Sequence, residues 1–171
     1  MHYSIWGLFD KGSADALRAS IHELSGENNA APFEPHITVL GSIEGDEKRL
    51  LHWLAELGQS LHQYELHVSD VLDFDDKYRC IVLSIDPTAD VLHAHVTAKQ
   101  LFTEERTGYF PHASLLYATL PTDKRKEIAE RLKARMAELP KLLFVTHLAL
   151  FTTSGPYQEW REVGRVELKK K

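Results

Sequence analysis

Phe33-Glu34-Pro35-His36-Ile37-Thr38-Val39 and Pro111-His112-Ala113-Ser114-Leu115-Leu116-Tyr117 are the two stretches from which the architecture can be read. In each, a proline precedes the histidine, and proline is tolerated at a strand's first position and rarely inside it. Strand side chains alternate between faces, so His36 and Thr38 share one face while Ile37 and Val39 share the other. His112 and Ser114 stand in the same relation. A shift of 76 positions lays His36 on His112, Thr38 on Ser114, Leu40 on Leu116, Lys48 on Lys124, Arg49 on Arg125 and Leu66 on Leu142, with no gap. A chain that repeats at this scale folds as two similar units.

Working outward, residues 3–9 form a short apolar run suited to a buried strand, and Ser13 reads as the N-cap of a helix carrying Leu17, Ile21 and Leu24 at helical spacing. Strands are expected at 36–42, 65–74, 78–85, 113–118, 142–151 and 159–168. Helices are expected at 46–60, with Leu50, Leu51, Leu54 and Leu57 as one apolar stripe, and at 88–102 and 122–138. No long Pro/Gly/Ser linker interrupts this order, so residues 1–171 read as one α+β domain of two lobes. Each lobe would be an antiparallel-rich sheet with helices on its outer face, and the inner faces would meet at a central cleft.

The 171 residues are 43% hydrophobic and 26% charged, with a formal net charge of −5. That balance suits a soluble globular chain and argues against a protein that coats long nucleic acid, whose phosphates demand a basic face. The lone Cys80 excludes an internal disulfide and a cysteine-clustered zinc site, and reads as a small apolar strand residue. A reducing, cytoplasmic setting is expected. Residues 1–10 lack a signal-peptide pattern, and no stretch approaches a membrane span.

Two histidines facing each other across a cleft are an acid and a base. An unperturbed imidazole titrates near pH 6.5, so one ring can be neutral while the other is protonated. Cleaving a phosphate ester asks for that pair: the neutral ring takes a proton from the attacking water, and the imidazolium gives one to the departing oxygen. The hydroxyls of Thr38 and Ser114 would hold the non-bridging oxygens. A bare His-x-Ser/Thr pattern is weak, since His2 with Ser4 and His67 with Ser69 match it too. What lifts the pair at 36 and 112 is a proline, an apolar strand and the same place in the repeat.

The two motifs resemble those of the 2H phosphoesterase superfamily, and the chain is most similar to its cyclic phosphodiesterases of the yeast and plant type. The resemblance implies a bilobal fold, no metal or organic cofactor, and hydrolysis of a small cyclic-phosphate nucleotide: a 2',3'-cyclic nucleotide or ADP-ribose 1'',2''-cyclic phosphate. It also places Tyr117 near the phosphate and assigns His112 as base and His36 as acid. Rival readings are the processing of short RNA ends bearing a cyclic phosphate, 2'-5' RNA ligation, and a nucleotide-binding module without turnover. The sequence leaves the oligomeric state open, with a monomer the simplest expectation, and no membrane partner is expected.

Trp6, Phe33, Tyr109 and Phe110 are the candidate stacking surfaces for a base, because aromatic rings bind any base face at about 1–3 kcal/mol each. Core packing is the alternative for each. Residues 103–109, with Gly108, read as a loop that could fold over ligand. His93 and His95, two apart on a helix, point to different faces and do not make a metal pair. The Lys-Arg pairs at 48 and 124 read as solvated helix faces.

Overall fold

In the computed structural model the described residues, 1–105 and 107–171, form seven strands and four α-helices. The strands are β1 (His2–Phe9), β2 (Ile37–Glu44), β3 (Tyr64–Asp73), β4 (Ile81–Ile85), β5 (His112–Leu116), β6 (Leu142–Thr152) and β7 (Glu162–Glu167). The helices are α1 (Lys11–Glu27), α2 (Glu47–Ser60), α3 (Ala89–Leu101) and α4 (Thr122–Ala134). No described helix is long and apolar enough to cross a membrane.

Side chains cap the starts of α1, α2 and α3, whereas α4 starts at Pro121 without one. Asp46 and Thr88 accept from the backbone N–H of Arg49 and Val91, satisfying donors that a helix start leaves unpaired. At α1 the cap is Asp10, which accepts from the Ser13 N–H; Ser13 lies inside the helix, with its hydroxyl accepting from Phe144 N–H in β6. The long helix expected at 122–138 ends at Ala134 and gives way to a single 3-10 turn, Met136–Glu138.

The seven strands make one antiparallel hydrogen-bonded network, ordered β1-β2-β5-β4-β3-β6-β7 and closed on itself by a β1–β6 pairing. The two expected sheets are its halves: β2-β1-β6-β7 and β5-β4-β3-β6. The sequence repeat does not coincide with these halves. β3 follows α2 in the first repeat unit yet pairs with β4 of the second, and β6 reaches back to β1 from Phe9↔Val145 to Tyr3↔Thr152. At its other end β6 pairs with β3, from Tyr64↔Val145 to His67↔Leu142. The helices cross likewise: α1 packs on β5, and α3 packs on β2.

Between the halves, β2 meets β5 at Ile37↔Ala113. Ile37, Val39, Ala113 and Leu115 are all buried in the core beneath the helices, each large one contributing roughly 1.5–3 kcal/mol by leaving water. That burial fixes the strand faces, because a slip of one residue would turn His36 and Thr38 into the core. Gly7, opposite Ile37, allows the close approach of β1 to β2: a Cβ there would lie 2.8 Å from Ile37 Cγ2.

Candidate active site

Continuing the Ile37↔Ala113 register by one residue each way sets His36 across from Ser114 and Thr38 across from His112. The four polar side chains therefore form one patch on the face away from the helices. All four line a single cavity of about 250 Å³, together with Trp6, Tyr117, Asp76, Arg79, Tyr78 and Trp160.

The two imidazoles are held alike. Nδ1 of His36 donates to the carbonyl of Glu34 at 2.7 Å, and Nδ1 of His112 donates to that of Phe110 at 2.8 Å. A carbonyl can only accept, so each Nδ1 carries a hydrogen and each Nε2 is the nitrogen that titrates. Burial depresses the pKa of His36 to about 4, the Glu34 carbonyl opposing the shift and the neighbouring His112 adding to it. His112 is depressed as well, first by burial and then by the Arg79 guanidinium, against the Phe110 carbonyl and Asp76. Both rings are thus neutral near pH 7, and an anion placed between them raises both.

The hydroxyls differ. Thr38's makes no hydrogen bond among the described residues and is available to a ligand. Ser114's donates to the Tyr78 carbonyl at 2.8 Å, so it must rotate before it can donate to a phosphate oxygen. Tyr117's hydroxyl lacks a partner among the described residues, and burial, reinforced by Tyr78 and Tyr157, raises its pKa. It stays protonated and can donate into the cavity.

Of the expected stacking surfaces, none offers a free face to the cavity. Trp6 lies between His36, at 3.6 Å and 5° between ring planes, and Phe151, at 3.8 Å and 17°; both of its faces are taken. Phe33 stacks behind Tyr117 at 3.7 Å and is absent from the cavity wall. Tyr109 stacks on His95 at 3.8 Å and donates to the Thr38 carbonyl. Phe110 backs His112 at 5.3 Å. Tyr109 and Phe110 line an adjoining hollow of about 580 Å³ that shares Thr38, Arg79 and His112 with the first. The expected loop at 103–109 includes Arg106, which lies outside the described residues. His95 is a packing residue, its Nδ1 bonded to the Val39 carbonyl.

Two groups of site residues were missed by sequence reasoning. Residues 77–79, which overlap the expected start of a strand at 78, form a 3-10 turn because Asp76 accepts from the Tyr78 N–H. The turn brings Arg79 to the cavity wall, held by Asp76 through Nε at 3.3 Å and Nη2 at 3.0 Å. Arg79 and two backbone N–H groups outweigh the effect of burial and lower the Asp76 pKa. Tyr78, 37% exposed, and Trp160 pack on each other at 5.2 Å on the cavity rim. The signal available was Asp76 two residues before a run lacking alternation. Arg125, expected to be solvated, has a side chain only 8% exposed, paired with Asp73 and Asp75. It donates to the Leu120 carbonyl at 2.7 Å, and so ties α4 to the segment leading into that turn.

With this fold and this cavity in hand, the chain belongs to the 2'-5' RNA ligase superfamily, whose model matches residues 10–157, and within it carries the paired motifs of the 2H phosphoesterases. It is 31% identical over 155 residues to a cyclic phosphodiesterase of Arabidopsis thaliana, covering 88% of this chain and 84% of that one. Its fold is similar to that of E. coli LigT in complex with 3'-AMP, with a TM-score of 0.63 at 15% identity over 99% of this chain and 98% of that one. A Thermus thermophilus protein, TT0787, gives a TM-score of 0.66 at 12% identity over 99% of each chain.

Proposed function

We propose that this 2H phosphoesterase is a cyclic phosphodiesterase that opens a small cyclic phosphate, a 2',3'-cyclic nucleotide or ADP-ribose 1'',2''-cyclic phosphate, to a phosphomonoester. The observation that carries this reading is the matched pair of Nδ1–carbonyl bonds, which leaves two Nε2 atoms in one cavity as the groups able to exchange protons. His112 Nε2 takes a proton from water as its oxygen bonds to phosphorus. His36 Nε2 gives a proton to the ester oxygen as the ring P–O bond breaks. Each imidazolium is supported by the carbonyl on its Nδ1. Thr38, Tyr117 and Ser114, once rotated, donate to the non-bridging oxygens, where charge grows. The substrate's own negative charge raises the depressed His36 pKa, so that the acid is protonated when it is needed. The base would lie against Tyr78 and Trp160, the aromatic pair on the cavity rim. The Arabidopsis relative, a cyclic phosphodiesterase, supports this substrate class.

The test is product analysis by ³¹P NMR with the four 2',3'-cyclic mononucleotides, ADP-ribose 1'',2''-cyclic phosphate and an oligonucleotide ending in a cyclic phosphate. Opening of a small cyclic phosphate, lost by about 10²–10⁴-fold in His36→Ala and in His112→Ala with the fold intact, is the expected result. A preference for the oligonucleotide end, joining of RNA ends, or binding without turnover would replace this reading with one of its rivals. Undiminished turnover in either variant would remove the mechanism.

A further inference from the structure

The cavity treats its two histidines differently. His112 is half-buried and backed loosely by Phe110, whereas His36, 7% exposed, lies flat on the indole of Trp6 at 3.6 Å. The indole is itself fixed: Phe151 covers its far face, its Nε1 donates to Ser4 Oγ at 3.0 Å, and Ser4 Oγ donates to the Leu40 carbonyl. The repeat gives His112 no indole, since the position matching Trp6 is Val82, and Phe110 meets its ring only at 5.3 Å. An aromatic face attracts a cation, most strongly when both are out of water. The indole therefore favours imidazolium over imidazole at His36, at closer range than Phe110 meets His112.

We infer that Trp6 is a positioning residue for the general acid, holding the His36 ring in plane and biasing it toward its protonated form once an anion fills the cavity. This rests on the acid/base reading of His36 above. In the step concerned, His36 Nε2–H is lost to the departing ester oxygen while Nδ1–H remains on the Glu34 carbonyl, so the ring passes from cation to neutral and leaves the π-face's preferred state as the P–O bond breaks. The other titratable or charged groups on the same cavity are His112 from β5, Tyr117 beyond it, and Asp76, Tyr78 and Arg79 from the 3-10 turn. Asp76 and Arg79 neutralise one another, and Tyr117 stays neutral. None of these touches the ring face that Trp6 covers.

The experiment is an NMR titration of the His36 ring at saturating inorganic phosphate, in the wild type and in Trp6→Leu, Trp6→Phe and Phe151→Leu, with the pH profile of kcat/KM for a 2',3'-cyclic nucleotide alongside. Trp6→Leu should lower the His36 midpoint by about one pH unit and carry the high-pH limb of the profile down with it, reducing kcat more than KM. Trp6→Phe, which keeps a π-face, should restore most of the shift. Phe151→Leu removes comparable packing without touching His36 and should leave the midpoint in place. Should Trp6→Leu fail to fold, fluorinated tryptophan keeps the shape while weakening the face, and should still lower the midpoint. An unchanged midpoint in the folded Trp6→Leu or fluorinated protein, or an equal fall in Phe151→Leu, overturns the inference. The titration needs no turnover, so it remains decisive for Trp6 even if no cyclic phosphate is opened.

Discussion

Replacing His36 by asparagine isolates what its burial does to stability. In the folded protein His36 titrates near pH 4 because burial disfavours the cation; in the unfolded chain it titrates near pH 6.5. The folded state thus binds fewer protons than the unfolded state between those values, and stability rises with pH wherever the unfolded state binds more. The destabilisation is absent above about pH 7, grows as pH falls through 6.5, and levels off below 4. By pH 4 it amounts to about 3 kcal/mol, a shift of some 2.5 pH units being worth about 1.4 kcal/mol each, less the part still titrating. Asparagine occupies the position of Nδ1 and can keep the hydrogen bond to the Glu34 carbonyl without a proton to gain. Urea denaturation of both proteins at pH 7.5 and at pH 4 should therefore show the wild type losing about 3 kcal/mol more than His36→Asn across that interval. Parallel losses in the two proteins would refute the claim that this ring is desolvated.

The two motif hydroxyls should separate in the same assays. Thr38→Val should cut turnover with little effect on urea stability, whereas Ser114→Ala should also lose about 1 kcal/mol, because the Tyr78 carbonyl loses its donor. Arg79→Gln should weaken inhibition by inorganic phosphate by up to about tenfold, read by competition kinetics, and should raise the NMR midpoint of His112, since the guanidinium lowers it; an unchanged midpoint would place Arg79 outside the field of the site. Arg125→Met should cost about 2–3 kcal/mol in thermal or urea unfolding, as it strands Asp73 and the Leu120 carbonyl, and a neutral result would show that this buried pair contributes nothing net.

The half of the site made by the motifs was legible because short-range alternation fixes a strand's faces. Ile37 and Val39 can be buried only if His36 and Thr38 point the other way. The helical stripe of α2 was readable for the same reason. Strand partners were not legible, since the pairing of β1 with β6 is set by long-range packing and no local pattern encodes it. Arg125 and its repeat mate Arg49 show the limit of reading by repeat: one is enclosed by two carboxylates, the other is exposed and lies over Trp53 at 5.0 Å. For Trp6, aromatic character and proximity to the motifs were apparent. That both of its faces are occupied depends on Phe151, 145 positions later in the chain, as the residue numbers show.

The shared strand β6 sets the order in which this sheet can close. Tyr3 lies in register with Thr152, so the second edge of β1 is covered only when a segment nearly 150 positions further along has folded back against it. Loop closure over such a span is an entropic barrier to folding, and topologies dominated by distant pairings assemble slowly. Closure of the sheet along the β1–β6 seam is therefore a late event in folding.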